Sequence, residues 1–212
     1  MRRLKLVGLA AVIASLALVL FGVGSASATR LCKTNTLPCA NVLESGTTFK
    51  AELAAGNEAI FTSGFAVVKC KGSTMEEKAT SAGGGEEVSV SGEITAASNS
   101  SCSCNLGGAV TTKAEALPWS TSLNYSSEMN GTTKVSNPQW SFVCINIKCV
   151  YVASSKSFMI TGGSPAFSVW TVTFNLIPSL SDFLCSPTMT LKVVYRLGNI
   201  AAPADGLYIA PN

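Results

Sequence analysis

Apolar side chains recur at every second position in many segments of the chain beyond residue 28. A period of two is typical of β-strands that bury one face, and about ten to twelve segments show it. No helical stripe of comparable strength competes with it. The predicted inward positions are Trp170, Val172, Phe174 and Leu176; Met189, Leu191, Val193, Tyr195 and Leu197; Phe49, Ala51 and Leu53; and Val88 with Val90.

Clusters of Gly, Ser, Asn and Pro separate these segments, as in "NGTT", "SNP" and "TGGSP". Such clusters are typical of turns. The polar stretch "STMEEKATSAGGGEE", residues 73–87, is predicted to form a mobile loop. The pattern therefore predicts an all-β protein over residues 29–212, an antiparallel β-sandwich built either as one domain or as two stacked sandwiches.

The first 28 residues have the composition of a signal peptide. Arg2, Arg3 and Lys5 precede an uncharged apolar run from residue 6 to 23, and small residues at Ala26 and Ala28 complete a peptidase site. We expect cleavage before Thr29. The alternative is a retained membrane anchor, because the apolar run is about long enough to span a bilayer.

Removal of that segment leaves the chain without net charge. Its three charges are all basic, so 12 of the 15 Lys and Arg residues remain, against all 12 Asp and Glu residues. No basic cluster remains to neutralise phosphates, which argues against nucleic-acid binding. No later apolar run approaches bilayer length, so we expect no membrane association after cleavage.

The chain contains no histidine. Ser-His-Asp and Cys-His catalysis and His-ligated metal sites are therefore excluded. A pair of carboxylates could still hydrolyse glycosidic bonds, and these side chains are the candidates: Glu76, Glu77, Glu86, Glu87, Glu93 and Asp182. Most of them lie in the predicted polar loop, where carboxylates are normally just solvated. We expect no catalytic residue, metal or cofactor.

All eight cysteines follow the export signal, and an even number in an exported chain indicates disulfides. The hairpin "FVCINIKCVYV" favours a bridge between Cys144 and Cys149, across a loop "INIK". Cys32 and Cys39 bracket a similar short loop near residue 29. A long-range bridge from Cys70 to Cys185 leaves Cys102 with Cys104 by elimination.

The last pair is the least comfortable, because a Cys-x-Cys ring is tight. In the alternative, Cys102 and Cys104 separate and take Cys70 and Cys185 as their partners. Eight cysteines allow 105 connectivities, so the sequence leaves the choice open. A four-thiolate zinc site is disfavoured, because one residue separates Cys102 from Cys104, and the spacer "INIK" between Cys144 and Cys149 is not a Gly-rich knuckle turn.

Three tryptophans could offer stacking surfaces for sugars. Alternation predicts that Trp140 and Trp170 lie in the core. Trp119, after Pro118, is the one tryptophan whose exposure the pattern leaves open, so it is the candidate ligand contact.

Several segments together resemble a group of secreted, cysteine-rich β proteins of actinobacteria. They are "LCKTNTLPC", "VVKCKGS", "GEIT", "ALPWSTSL", "NPQWSFVCINIKCVY", "CSPTMTLKVVYRL" and "LYIA", and they span most of the chain after residue 28. No activity is attached to this group. The resemblance implies a bacterial source. In such relatives the cysteines that correspond to Cys102 and Cys104 are more widely spaced, as in a hairpin pair.

The sequence favours an exported, non-catalytic protein with a binding or structural role, secreted or associated with the cell envelope. The expected partners are cell-wall polysaccharide or another envelope protein. One alternative is a carrier that holds an apolar small molecule between its sheets, as neocarzinostatin-like proteins do. A weaker alternative is a histidine-free extracellular glycosidase.

Overall fold

The computed structural model describes residues 29–34, 36, 38–64, 66–84, 89–127, 130–161, 166–199 and 206–211. The predicted signal peptide, residues 1–28, lies outside this set. Val88, Glu86 and Glu87, which the sequence analysis singled out, also lie outside it.

The described chain consists of β-strands and one short 3-10 turn at Pro178–Leu180. This confirms the all-β class. No described helix is long and apolar enough to cross a membrane. The strands are β1 Thr29–Cys32, β2 Thr48–Leu53, β3 Ala59–Ser63, β4 Ala66–Ala79, β5 Val90–Cys104, β6 Val110–Glu115, β7 Trp119–Ser127, β8 Asn130–Val135, β9 Gln139–Cys144, β10 Ile147–Val152, β11 Lys156–Thr161, β12 Phe167–Leu176, β13 Thr188–Asn199 and β14 Tyr208–Pro211.

Twelve of these strands form one continuous antiparallel sheet, which closes on itself. Strand β13 pairs with β12 along one edge, and with β2 and β3 along the other. Both β2 and β3 also pair with β4. The series β4, β5, β7, β8, β11, β12, β13 and β2 therefore closes into an eight-stranded barrel.

Two smaller groups of strands complete the fold. Strands β10, β9 and β6 continue the sheet from the far end of β12, beyond the segment that pairs with β11. Strands β1 and β14 form a separate antiparallel pair. Leu31 of β1 and Ile209 of β14 are buried in the common core, so this pair packs on the barrel.

The predicted sandwich is not confirmed, because twelve of the fourteen described strands belong to one sheet and do not divide into two facing sheets. A sandwich has two sheets with free edges, whereas here β13 and β4 share β2 and β3 as partners and close the barrel. Barrel closure leaves no unpaired edge at these strands, which removes a site for aggregation. Antiparallel pairing itself is confirmed in every strand pair described.

The predicted inward positions are confirmed where the structure describes them. Those of β12 and β13 are buried from Trp170 to Phe174 and from Met189 to Leu197, while Leu53 and Leu176 are partly buried against the same core. The predicted mobile loop at 73–87 is wrong for its first half. Residues up to Ala79 belong to β4, because Ser73, Met75 and Ala79 continue an inward alternation that their polar neighbours hide.

The buried residues of β4 have even numbers up to Cys70 and odd numbers from Ser73 onward. At the same level Ser101 of β5 has a positive φ of 51°, and a side chain at Gly72 would overlap the Ser100 hydroxyl. These two features let the long strands β4 and β5 pass from the barrel to the part of the sheet that carries Cys104.

Candidate functional site

All eight cysteines are oxidised in four disulfides. The predicted Cys32–Cys39 bridge is confirmed. The other three predicted pairings are wrong. The observed bridges are Cys70–Cys102, Cys104–Cys144 and Cys149–Cys185.

The register of the β9–β10 hairpin explains why Cys144 and Cys149 do not pair. Cys144 lies opposite Ile147, so the connection is the two-residue turn Ile145–Asn146 and not the four residues "INIK". Both turn residues have positive φ, at 50° and 63°, which is the type I′ geometry of two-residue hairpins. Cys149 lies opposite Phe142, diagonally from Cys144, and a diagonal pair is too far apart for a disulfide.

Cys102 and Cys104 do not bond each other, as the alternative predicted. Of the two partners proposed for them, Cys70 is correct and Cys185 is wrong. Cys70 lies directly opposite Cys102 across β4 and β5, and the two form a cross-strand bridge. Cys104 bonds Cys144 of β9, and Cys185 bonds Cys149 of β10. Four disulfides indicate an oxidising, extracellular environment.

Trp119 is not placed for the predicted ligand contact. Its side chain is 2% exposed and packs edge-on against Trp140, with ring centroids 5.6 Å apart. The indole N–H donates a hydrogen bond to the Glu115 carbonyl, at 2.8 Å. Trp140 and Trp170 are also buried, so the three tryptophans build the core and offer no surface for sugar stacking.

Among the candidate carboxylates that the structure describes, Glu77 is the one that lies inside the barrel. It is flanked in register by Phe49 and Ile94, both buried. Glu77 is partly exposed to solvent. Its carboxylate lies at the cavity, where Oε1 accepts a hydrogen bond from the Thr121 hydroxyl. Burial raises the pKa of Glu77 to about 7, against the smaller opposing effect of that hydrogen bond.

The space for this carboxylate depends on a glycine. A Cβ at Gly92 of β5 would lie 2.7 Å from Glu77 Oε1 and 2.8 Å from Thr121 Oγ1. The alternation of β4 could have identified Glu77 from sequence, because residues 73, 75, 77 and 79 share a parity. The polar neighbours of this segment masked that signal.

The barrel interior leaves little room for a ligand. The cavity beside Glu77 measures about 20 Å³, enough for one water molecule. Phe158, Trp170 and Tyr195 fill the adjacent space, with Trp170 stacked on Phe158 at 4.0 Å between centroids. A carrier of an apolar small molecule would need a cavity of several hundred Å³ at this position.

The glycosidase interpretation lacks a second carboxylate beside Glu77 among the described residues that line its cavity. Glu76 and Glu93 are partly exposed strand residues. Asp182 has a structural contact, since its Oδ2 accepts a hydrogen bond from the Lys148 backbone N–H at 2.6 Å.

Three connections converge at the end of the sheet where Cys104 lies. They are the loop 105–109, the turn 145–146 and the loop 177–187. Cys104–Cys144 joins the first to the second, and Cys149–Cys185 joins the third to β10. Leu106 and Leu184 line the same small cavity, together with Ile147 of β10.

These three connections carry most of the large apolar side chains that are exposed in the described part of the chain. We call them the apolar tip: Leu106, Ile145, Leu180, Phe183 and Leu184. Phe183 is 93% exposed and Ile145 is 47% exposed. Exposed apolar side chains that gather on connections at one end of a sheet are typical of interaction sites in soluble proteins.

A second surface feature is a shallow concavity of about 460 Å³ where β2 and β3 diverge beside β13. It is lined by residues 56–58, Ile60 and residues 192–194. No aromatic side chain lines it, so it lacks the stacking surface that commonly binds sugars.

No group of three or more metal-ligating side chains occurs among the residues that the structure describes. Comparison of the chain with protein-family models, with curated proteins and with solved structures gave no match. The apolar tip is therefore identified as the candidate functional site from its geometry and exposure.

Proposed function

We propose that this protein is exported and acts outside the cell or at its envelope as a non-catalytic binding module. The apolar tip is the observation that carries this proposal. The Phe183 side chain is almost fully exposed and contributes nothing to the core. An exposed aromatic ring lowers solubility, and a partner that covers the ring explains why it is there. The disulfides that hold the tip are consistent with an oxidising compartment.

The resemblance to secreted actinobacterial proteins supports a bacterial envelope as the place of action. Cell-wall polysaccharide and another envelope protein are the partner classes expected from the sequence. Burial of all three tryptophans removes the side chains best suited to stack on sugars. An apolar partner is therefore favoured over a polysaccharide.

Expression of the full chain in an exporting bacterium tests this proposal. We expect the intact mass of the purified protein to match a chain that begins at Thr29 and has no free thiol. The purified protein should sediment with isolated envelope fragments. The double variant Phe183→Ser/Leu184→Ser should remain in the supernatant.

Met159→Ser is the matched control, because Met159 is 63% exposed but lies on β11, away from the tip. It should sediment like the wild type. A reduced protein retained in the cytoplasm, or equal sedimentation of both variants and the wild type, would contradict the proposal.

A further inference from the structure

We infer that the apolar tip binds the interfacial region of a lipid bilayer, with Phe183 and Leu184 entering the boundary between headgroups and acyl chains. This inference rests on the proposed function and names the partner of the same site. It departs from the expectation of no membrane association, which rests on the lack of long apolar runs, because contact of this kind needs no membrane-spanning segment. The apolar residues belong to three separate connections, so a search for long apolar runs in the sequence does not detect them.

The tip is held rigid before it meets any partner. Two disulfides fix its three connections, and hydrogen bonds fix the longest of them. Ser181 Oγ accepts from the Val150 backbone N–H at 2.9 Å and donates to the Ile177 carbonyl at 2.8 Å. A preordered surface loses little conformational entropy on binding.

Backbone hydrogen bonds satisfy several of the polar groups of the tip within the protein. The Asp182 N–H donates to the Lys148 carbonyl at 2.9 Å, and the Cys185 N–H donates to the Asp182 carbonyl at 3.1 Å. In loop 105–109, the Gly107 N–H donates to the Cys104 carbonyl at 3.0 Å. Backbone groups that are paired internally enter lipid at far lower cost than unpaired ones.

The size of the tip favours lipid over a second protein. A stable protein interface uses about 20 to 30 residues and about 800 Å² from each partner. The tip offers five exposed apolar side chains, and the cavity beside Leu106 and Leu184 is too small to receive a partner's side chain. A few exposed side chains of this kind suit a surface that deforms around them, as a bilayer does.

The charge of the tip specifies the lipid. Asp182 is the only ionisable residue in the three connections. There is no basic cluster to attract anionic headgroups, so binding depends on apolar burial and needs no anionic lipid.

Ile145 adds an independent indication that the tip is functional. It is a β-branched residue with a φ of 50°, a conformation that Asn and Gly adopt at lower cost. Its side chain is exposed, so core packing does not compensate for the strain. The turn requires this φ but does not require isoleucine, so the residue chosen here is consistent with a role for its side chain in binding.

Flotation with phosphatidylcholine vesicles tests the inference, with oxidised protein purified from an exporting host. We expect the wild type to bind and its binding to change little between low and high salt. Phe183→Ser should weaken the partition constant about tenfold and Phe183→Ser/Leu184→Ser about a hundredfold. Met159→Ser should bind like the wild type.

Ile145→Asn separates binding from folding. Asparagine suits the turn, so the variant should melt about 2 to 4 °C higher than the wild type. Its vesicle binding should nevertheless weaken about fivefold, because an apolar contact is lost. A purely structural role of Ile145 predicts no loss of binding.

The outcomes distinguish this inference from the proposed function. If the wild type sediments with envelope fragments in a way that depends on the tip and yet fails to bind vesicles, the partner is an envelope protein or polysaccharide. Only the lipid inference is then overturned. Failure to bind either one overturns both. Vesicle binding that persists in Phe183→Ser/Leu184→Ser, or that requires anionic lipid and low salt, overturns the lipid inference.

Discussion

Replacement of Cys104 and Cys144 together by serine is expected to lower the free energy of unfolding by about 4 kcal/mol. The bridge joins residues separated by 40 positions, so its removal releases a long loop in the unfolded chain. Urea denaturation at neutral pH measures the effect. An effect of this size is a large fraction of the stability of an ordinary domain.

Cys32→Ser/Cys39→Ser is the matched control for this prediction. That bridge spans only 7 positions, so its removal should cost about 2 kcal/mol. The Cys104/Cys144 variant should also lose vesicle binding, because the bridge holds the loop 105–109 against the turn 145–146. Equal destabilisation by the two double variants, or unchanged binding, would argue against these roles.

Glu77→Gln is expected to stabilise the protein at pH 8 by up to about 3 kcal/mol. The folded-state pKa of Glu77, about 7, lies above its ordinary value of 4.5, so the folded state binds the proton more tightly. The associated stability is fully present below pH 4.5 and is lost as the pH rises through 7. Above pH 7 both states are ionised, and the cost of burying the charge remains.

Urea denaturation at several pH values between 4 and 8 tests this prediction. The wild type should lose stability across this range, and Glu77→Gln should lack that component of the loss. Glu93→Gln is the control, since Glu93 lies on the adjacent strand but not at the barrel cavity. If Glu77→Gln and the wild type show parallel pH profiles, the carboxylate is solvated and the account of the interior is incorrect.

Much of the fold follows from local patterns. In β12 and β13 the alternation extends over many residues and each inward side chain is apolar, so the buried face was predicted correctly. Barrel closure was not predicted, because it depends on β2 and β3 sharing both β13 and β4 as partners. Pairing between distant strands has no signature in the local alternation of either strand.

The disulfide pattern shows the same division between local and distant information. The short Cys32–Cys39 bridge follows from spacing alone. The error at Cys144 and Cys149 came from the turn, because Ile145 and Asn146 form a two-residue connection that shifts Cys149 opposite Phe142. An isoleucine at positive φ is rare, so residue preferences did not indicate this turn.

The candidate site could not be predicted for a related reason. Trp119 was selected because its environment was ambiguous, and the structure places it in the core. The exposed residues that form the tip lie at 106, 145 and 180–184, far apart in sequence. The Cys104–Cys144 and Cys149–Cys185 bridges bring them together, with hydrogen bonds between β10 and the loop 177–187.

The three connections converge through the Cys104–Cys144 and Cys149–Cys185 bridges, and mapping of the disulfides in the oxidised protein shows whether these bridges form. Trypsin cleaves after Lys148 and so separates Cys144 from Cys149. The structure predicts one linked set formed by peptides 70–71, 79–113 and 135–148, and a second formed by 149–156 and 157–192. Fragmentation between Cys102 and Cys104 should assign Cys102 to Cys70. A link between peptides 135–148 and 149–156, or between 70–71 and 157–192, would contradict the structure and remove the basis of the apolar tip.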